Sequence, residues 1–285
     1  MTDGVVVVDK PAGMTSHDVV DEVRRRLHER RVGHAGTLDP DATGVLILGI
    51  GKATRFLSYA QASHKRYLAV ARFGSTTTTQ DAAGEVLQEK RADVTQKDVE
   101  DALPGFTGSL QQIPPMVSAV KVGGERLYKK ARRGENVERD PRAIEVESLV
   151  LLDFAPGDQP NATLDIVCSG GTYVRTLIHD LGQSLGCGAH MASLRRTEAG
   201  GFKEADAVPL ASVTAETVLP MAEVVRQLDR LEISEEDALA VGHGRPLAQP
   251  DGPVRAPVAV MRDGRLLAVY RPEGDRLVAD RVVPE

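Results

Sequence analysis

The residues best suited to chemistry sit in two short glycine-rich segments. The first runs Gly33-His34-Ala35-Gly36-Thr37-Leu38-Asp39-Pro40-Asp41-Ala42-Thr43-Gly44. Its glycines and its proline fix the backbone rather than loosen it. Pro40 drives Asp39 toward extended angles and aims its carboxylate off the turn. A carboxylate presented that way can act as a nucleophile or a base. Local considerations alone favour an Asx-type turn, in which Asp39 or Asp41 bonds nearby N–H groups, and nothing local chooses between the two aspartates.

The second segment is Gly170-Gly171-Thr172-Tyr173-Val174-Arg175. Arg175 falls in the first turn of a predicted helix, where the positive end of the macrodipole disfavours a cation. It also lies off that helix's apolar stripe. Such an arginine calls for a carboxylate from another segment, or else it is simply solvated. Tyr173 reads equally well as a packing residue. Lys65-Arg66-Tyr67 opens a strand and poises Tyr67 at the edge of a possible cleft, or in the half-buried packing usual for a strand tyrosine. Lys121–Arg142 is the most basic stretch, with eight Arg and Lys against four Asp and Glu. It is either a solvated face or a surface for RNA phosphates.

Other chemistries fail on spacing. The seven histidines are scattered, and Cys168 and Cys187 stand nineteen residues apart without further ligands nearby, so no zinc site is expected. Gly49-Ile50-Gly51-Lys52-Ala53-Thr54 misses both the dinucleotide and the phosphate-loop templates and reads as a tight strand-to-helix turn. At 285 residues the chain has room for about two domains. Hydrophobic residues make 41% and charged ones 27%, with a net charge of −6, which argues against a generally basic nucleic-acid coat but not against a local basic surface. Two cysteines exclude a disulfide scaffold and point to a reducing compartment. Asp3 and Asp9 flank the short Val5–Val8 run, so a signal peptide is not expected there. The prolines of Leu103–Val120 rule out a spanning helix there, and a cytoplasmic protein is expected.

The elements that must position these residues follow from periodicity and punctuation. Val5–Val8 reads as a buried strand ending in the turn Lys10–Gly13. Thr15 with Asp18 makes a capping-box start for a helix carrying Val20, Val23 and Leu27 on one face. Val32–Gly44 reads as a loop, Val45–Ile50 as a central strand, Lys52–Ala62 as a helix and Arg66–Phe73 as a strand. Ser75–Thr79 looks like a polar turn. A short helix opens at Thr95 with Asp98 and ends before Pro104. Strands follow at Ile144–Phe154 and Ala162–Cys168, then a helix with Val174, Leu177, Ile178, Leu181 and Leu185 on one stripe. After a helical stretch near Met221–Leu228, short strand-like runs at Val258–Met261, Leu266–Tyr270 and Leu277–Val283 mark a small β-rich module with a boundary near Asp229.

Taken in order, several of these motifs carry a family likeness. Lys10-Pro11-Ala12-Gly13-Met14-Thr15-Ser16, Gly33-His34 through Leu38-Asp39-Pro40 to Thr43-Gly44-Val45-Leu46, and Lys65-Arg66-Tyr67 form the first part. Gln112-Ile113-Pro114-Pro115 with Ser118-Ala119, Gly171–Thr176, Gly186–His190 and Leu194-Arg195-Arg196 complete it. Together they resemble the TruB family of tRNA pseudouridine-55 synthases across about 190 residues. The tail resembles, more weakly, a PUA module, an RNA-binding β-barrel.

The resemblance implies an α+β fold: a mixed, mainly antiparallel sheet with flanking helices over residues 1–229, then a small PUA-like barrel over 230–285. It implies isomerisation of a T-loop uridine in tRNA, without metal or cofactor and without an obligate protein partner, by a monomer. It makes Asp39 the catalytic aspartate, Arg175 its ion-pair partner and Tyr67 the ring that stacks on the target base. Tyr173 and Leu194 line the uridine pocket, His34 engages the opened T-loop, and Lys10 supports the catalytic loop from behind. A mobile thumb over about 112–137 grips the RNA stem, with Lys121, Arg126, Lys129, Lys130, Arg132 and Arg133 placed for its phosphates. Two departures stand out: Ala83 replaces an aspartate common near Asp81, and the tail from Leu231 onward carries net charge −3.

The chemistry agrees with the likeness. Pseudouridylation breaks N1–C1′, turns the base and joins C5 to C1′, with no second substrate. The carboxylate must stay ionised in a dry pocket, where a neighbouring arginine lowers its pKa by ~1–3 units. Loss of the C5 proton needs a base, and Tyr67 can be both platform and acceptor. Because the nucleotide must be everted, aromatic stacking worth ~1–3 kcal/mol offsets the extrusion. The competing reading is a non-catalytic RNA-binding or tRNA-folding protein, which has no need of Asp39 and Arg175 together.

Overall fold

The computed structural model describes residues 3–118, 120–135, 137–249 and 256–284. In chain order the elements begin with β1 (Gly4–Lys10), α1 (Ser16–Leu27), β2 (Val32–Ala35), β3 (Thr43–Ile50), α2 (Leu57–Ala62) and β4 (Lys65–Phe73). Next come β5 (Ser75–Thr77), β6 (Val86–Glu89), α3 (Gln96–Ala102), β7 (Gly108–Gln112), β8 (Lys121–Val122), β9 (Glu125–Arg126) and α4 (Leu127–Arg132). Then follow β10 (Arg142–Ala155), β11 (Asn161–Cys168) and, beyond α5 (Val174–Ser184), β12 (Ala189–Ala199). The rest are β13 (Phe202–Lys203), β14 (Val208–Pro209), β15 (Leu219–Pro220), β16 (Asp229–Glu232), α6 (Glu235–Gly242), β17 (Leu247–Ala248), β18 (Val258–Arg262), β19 (Arg265–Glu273) and β20 (Arg276–Val282). This mixed α+β arrangement, mostly antiparallel, is the class expected from the sequence.

The chain divides into two compact units, one of Met1–Pro40, Gly44–Ser63 and Glu198–Glu285, the other of Asp41–Thr43 and His64–Thr197. In the first unit β1 pairs antiparallel with β3, and β2 pairs with the other edge of β3. The uninterrupted Val5–Val8 run has a simple cause: both faces of β1 are covered. Val6 and Val8 pack with Val19, Val20 and Val23 of α1, while Val5 and Val7 pack with Phe56, Leu57 and Phe202. The expected capping box of α1 is present, with Thr15 accepting from the Asp18 N–H and Asp18 reaching back to Thr15.

The tail builds a five-stranded sheet in the order β16-β18-β19-β20-β17. It too is covered twice. Val258, Val260 and Tyr270 form a core with Val241 of α6, whereas Ala259, Met261 and Val269 join the core beneath β1.

In the second unit β4 lies between β12 and β11, and the sheet continues through β10 to β7. Strict alternation in β4 buries Lys65, Tyr67, Ala69, Ala71 and Phe73 on one face. The stripe of α5 is buried as its spacing predicts.

The structure corrects several readings. Val32–Ala35 of the supposed loop is strand β2, and Ser75–Thr77 of the supposed turn is strand β5. Residues 51–56 form a 3-10 helix before α2, and Met221–Val225 is a 3-10 helix as well. The tail contains α6, an acidic helix among the strands. A Gly182 Cβ would meet the Ala189 nitrogen at 2.2 Å and the Gly188 carbonyl carbon at 2.5 Å, so the end of α5 packs directly on backbone. Gly182→Ala should therefore lower unfolding stability by ~1–3 kcal/mol. An unchanged urea midpoint for that variant would disprove the close approach.

Candidate active site

Asp39 lies between two residues whose backbone groups are pinned. The buried Ser16 hydroxyl, in the first turn of α1, accepts from the Leu38 N–H at 2.8 Å and donates to the Leu38 carbonyl at 3.0 Å. On the other side, the Pro40 carbonyl accepts from the Lys10 ammonium at 2.8 Å and from the Gly13 N–H at 3.0 Å. Lys10 is fully buried and also donates to the Pro11 carbonyl at 2.9 Å. Gly13 sits at φ +80°, a conformation that favours glycine and turns its N–H toward Pro40. The Lys10–Ser16 motif thus folds as a brace for one turn, and Asp39 projects half-buried from that turn. His34 is half-buried on β2, with its ring edge-on to His17 at 6.4 Å.

Arg175, in the second unit, is not a solvated arginine: it is 4% exposed. Its guanidinium donates to the Asp81 carboxylate at 3.1 Å, to the Thr79 carbonyl at 3.5 Å and to the Val117 carbonyl. The misfit cation of the first turn therefore does find a carboxylate from a distant segment within its own unit. Sequence reasoning gave Asp81 no role. Its only local signal was its position at the end of a polar threonine run. Thr79 donates to Asp81 at 2.5 Å, and the Ala83 N–H donates at 3.1 Å.

Tyr173 is the N-cap residue of α5 and is clamped through its backbone. The Gln112 amide accepts from the Tyr173 N–H at 2.8 Å and donates to its carbonyl at 3.0 Å. Gln112 ends β7 and is buried, so the start of the expected thumb is tied to the start of the helix that carries Arg175.

Tyr67 is 7% exposed and stands opposite Ile166 of β11. On the neighbouring strand β12, the buried Arg196 bonds the Tyr67 hydroxyl. Leu194, two residues before Arg196 and half-buried, projects from the same face of that strand. The second unit therefore gathers Tyr67 and Leu194 on one side of its sheet.

The expected RNA-contacting segment forms the β8–β9 hairpin and α4. The side chains of Lys121, Arg126, Lys129 and Arg132 lie outside the described residues, as does Ala119. Arg133 is bidentate to Glu125 at 2.8 Å and bonds Glu135 at 2.6 Å, and these carboxylates hold its pKa up. Lys130 is half-buried. In α1, Arg24 pairs with Asp21, and Arg25 and Arg26 pair with Glu22. Among the described residues no cluster of three or more His, Cys, Asp or Glu could hold a metal ion.

The family model for the TruB family pseudouridylate synthase N-terminal domain matches residues 24–174. The chain belongs to the TruB family. The model for the tRNA pseudouridylate synthase B C-terminal domain matches residues 175–239. A tRNA pseudouridine synthase B of Symbiobacterium thermophilum is 50% identical over 85% of this chain and 82% of its own. Its counterpart in Thermobifida fusca is 47% identical over 94% of each. Among solved structures, a Cbf5–Nop10–Gar1 complex matches with TM-score 0.78 and 28% identity, covering 99% of this chain and 85% of the other.

Burial also leaves a titration signature beside Tyr67. Lys65, 5% exposed, is pushed down to about 8, first by burial and then by the charge of Arg196. The unfolded chain keeps that proton up to about 10.5, so between about 8 and 10.5 unfolding takes up a proton. Lys65 therefore contributes increasing stability as pH rises through the window, about 3 kcal/mol in all. Measured by urea denaturation, wild type should gain on Lys65→Met from pH 8 upward; a flat difference would contradict this.

Proposed function

We propose that this chain, a pseudouridine synthase by family, converts uridine-55 in the T-loop of tRNA to pseudouridine with Asp39 as its catalytic carboxylate. The observation that carries the reading is the double brace on the Asp39 turn. A carboxylate that must meet a single carbon of an everted nucleoside gains from a backbone fixed on both sides. Asp39 acts on the ribose, as nucleophile at C1′ or as base, while the N1–C1′ bond breaks. Arg175 is its ion partner in this reading, and Asp81 is the group that holds the Arg175 guanidinium in orientation. Tyr67 stacks on the base, Tyr173 and Leu194 line its pocket, His34 engages the opened loop, and Lys10 holds the turn from behind.

The T-arm is the natural substrate fragment, because loops are read through splayed bases and shape. The thumb over about 112–137 grips its stem, and the five-stranded module, PUA-like in this reading, supplies a further RNA surface. The protein acts as a monomer in the cytoplasm without an obligate partner. Rearrangement within one nucleoside exchanges no group with a second substrate, so its chemistry calls for no cofactor.

Incubation with an unmodified T-arm transcript, with no cofactor added, should yield pseudouridine at the T-loop position. Asp39→Asn should abolish that product and leave RNA affinity within about twofold, since the amide keeps the shape and loses the charge. Substantial turnover by Asp39→Asn would refute the assignment. A wild-type protein that binds the transcript without modifying it would support the RNA-binding alternative.

A further inference from the structure

Arg196 has no part in the scheme above, yet it is 1% exposed, a whole guanidinium sealed beside the sheet. Burying an arginine costs several kcal/mol unless its donors are used well. Here it bonds the Tyr67 hydroxyl, and that contact opposes the downward pull of burial on its own pKa. Lys65 projects from the same face of β4 as Tyr67, two residues earlier, so a second buried cation stands on the same side.

On β12 itself, His190 and Glu198 share the Arg196 face; His190 donates to the Ser75 carbonyl at 3.1 Å and Glu198 pairs with Lys203 at 3.7 Å. Asp165 of β11 is on the opposite face and binds Arg66 through both oxygens, at 2.8 and 2.6 Å. Cys168, opposite Lys65, is a thiol pushed up to about 11 by burial and stays neutral near neutral pH. Arg195 alternates away from Arg196 and donates to Thr43 at 3.3 Å. On α5, Arg175 is held by Asp81, and His179 and Asp180 follow a turn later, toward the helix C-terminus.

We propose that Arg196 is a positioning residue for Tyr67: its guanidinium fixes the phenol ring and stabilises the phenolate that accepts the C5 proton. This rests on Tyr67 being the ring that stacks on the uridine. In the step concerned, C5 is already joined to C1′ and still carries its hydrogen. The C5–H bond breaks, and the proton passes to the Tyr67 oxygen. The released electron pair forms the C5–C6 double bond, and the former C6–N1 π pair moves to N1, which takes a proton from water. Tyr67 then returns its proton to water, and no oxidant, reductant or co-reactant is consumed. A phenol with its ordinary pKa near 10 is almost wholly protonated at neutral pH. A cation on its oxygen lowers that pKa, and the reactive phenolate fraction rises about tenfold each time the pKa falls by one.

The free protein allows a direct test, because it has no tryptophan and only five tyrosines. Tyrosinate absorbance is therefore easily read. Tyr59 and Tyr270 are both pushed up, chiefly by burial, and titrate late. We expect one tyrosine to ionise ~1–3 pH units early. Tyr67→Phe should remove that component, Arg196→Gln should move it up by ~1 pH unit or more, and Arg196→Lys should move it less. Single-turnover pseudouridine formation at neutral pH should fall ~10-fold in Arg196→Gln, recover as pH is raised, and show RNA affinity within about twofold. In a Tyr67→Phe background, Arg196→Gln should cause no further loss.

An early component that stays in place in folded Arg196→Gln, or a loss equally large without the Tyr67 hydroxyl, overturns the proposal. Arg196→Lys and Tyr67→Phe provide the same titration comparison should Arg196→Gln not fold. If the titration moves as expected but wild type forms no pseudouridine, the reading of the function fails and the catalytic half of the proposal with it. The coupling of Arg196 to Tyr67 would survive that result.

Discussion

Buried positive charge organises both units of this protein. A cation taken out of water must be surrounded by acceptors, and the acceptors it recruits lose their freedom to move. Lys10 gathers the carbonyls of Pro11 and Pro40 and so fixes the turn that carries Asp39. Arg175 gathers Asp81, Thr79 and Val117, three points on segments without regular pairing to its own helix. Arg196 takes the Tyr67 hydroxyl. Lys10 bonds beside Asp39 and Arg196 bonds Tyr67, whereas Arg175 is itself a group that the proposed chemistry uses. The cost of desolvating the charges is met by fixed oxygens, and in return loops that would otherwise wander acquire one geometry.

The same pattern explains what could be read from the sequence. β1, β4, β10, β11, α1, α3 and α5 announce themselves through hydropathy period or capping boxes, because their burial is apolar and their ends are local events. β12 does not. Its sequence AHMASLRRTEA buries His190 and Arg196, polar residues that hydropathy assigns to the surface. β2 contains Gly33 and ends beside Gly36, which mask it as a loop, and α6 hides in a run of acidic residues anchored by the buried Val241. Asp39 was visible because Pro40 and three glycines constrain its neighbours. Arg175 was visible because a cation at a helix start is a local contradiction. Asp81 resolves that contradiction from 94 residues away, a distance no local pattern spans.

Net charge −6 is compatible with an RNA partner once the state of the arginines is considered. The arginines of α1 and Arg133 are answered by carboxylates on their own or adjacent turns. Such exposed pairs are screened by water and salt and hold their partners weakly. A phosphate brings a full charge, paired acceptor oxygens suited to a guanidinium fork, and the entropy of released counterions. Exchange of Glu22 or Glu125 for a backbone phosphate therefore costs the protein little. The buried cations cannot take part in that exchange, since their acceptors belong to the fold. The cations thus fall into two sets: exposed arginines whose carboxylate partners can be exchanged, and buried Lys10, Arg175 and Arg196 whose partners are part of the fold.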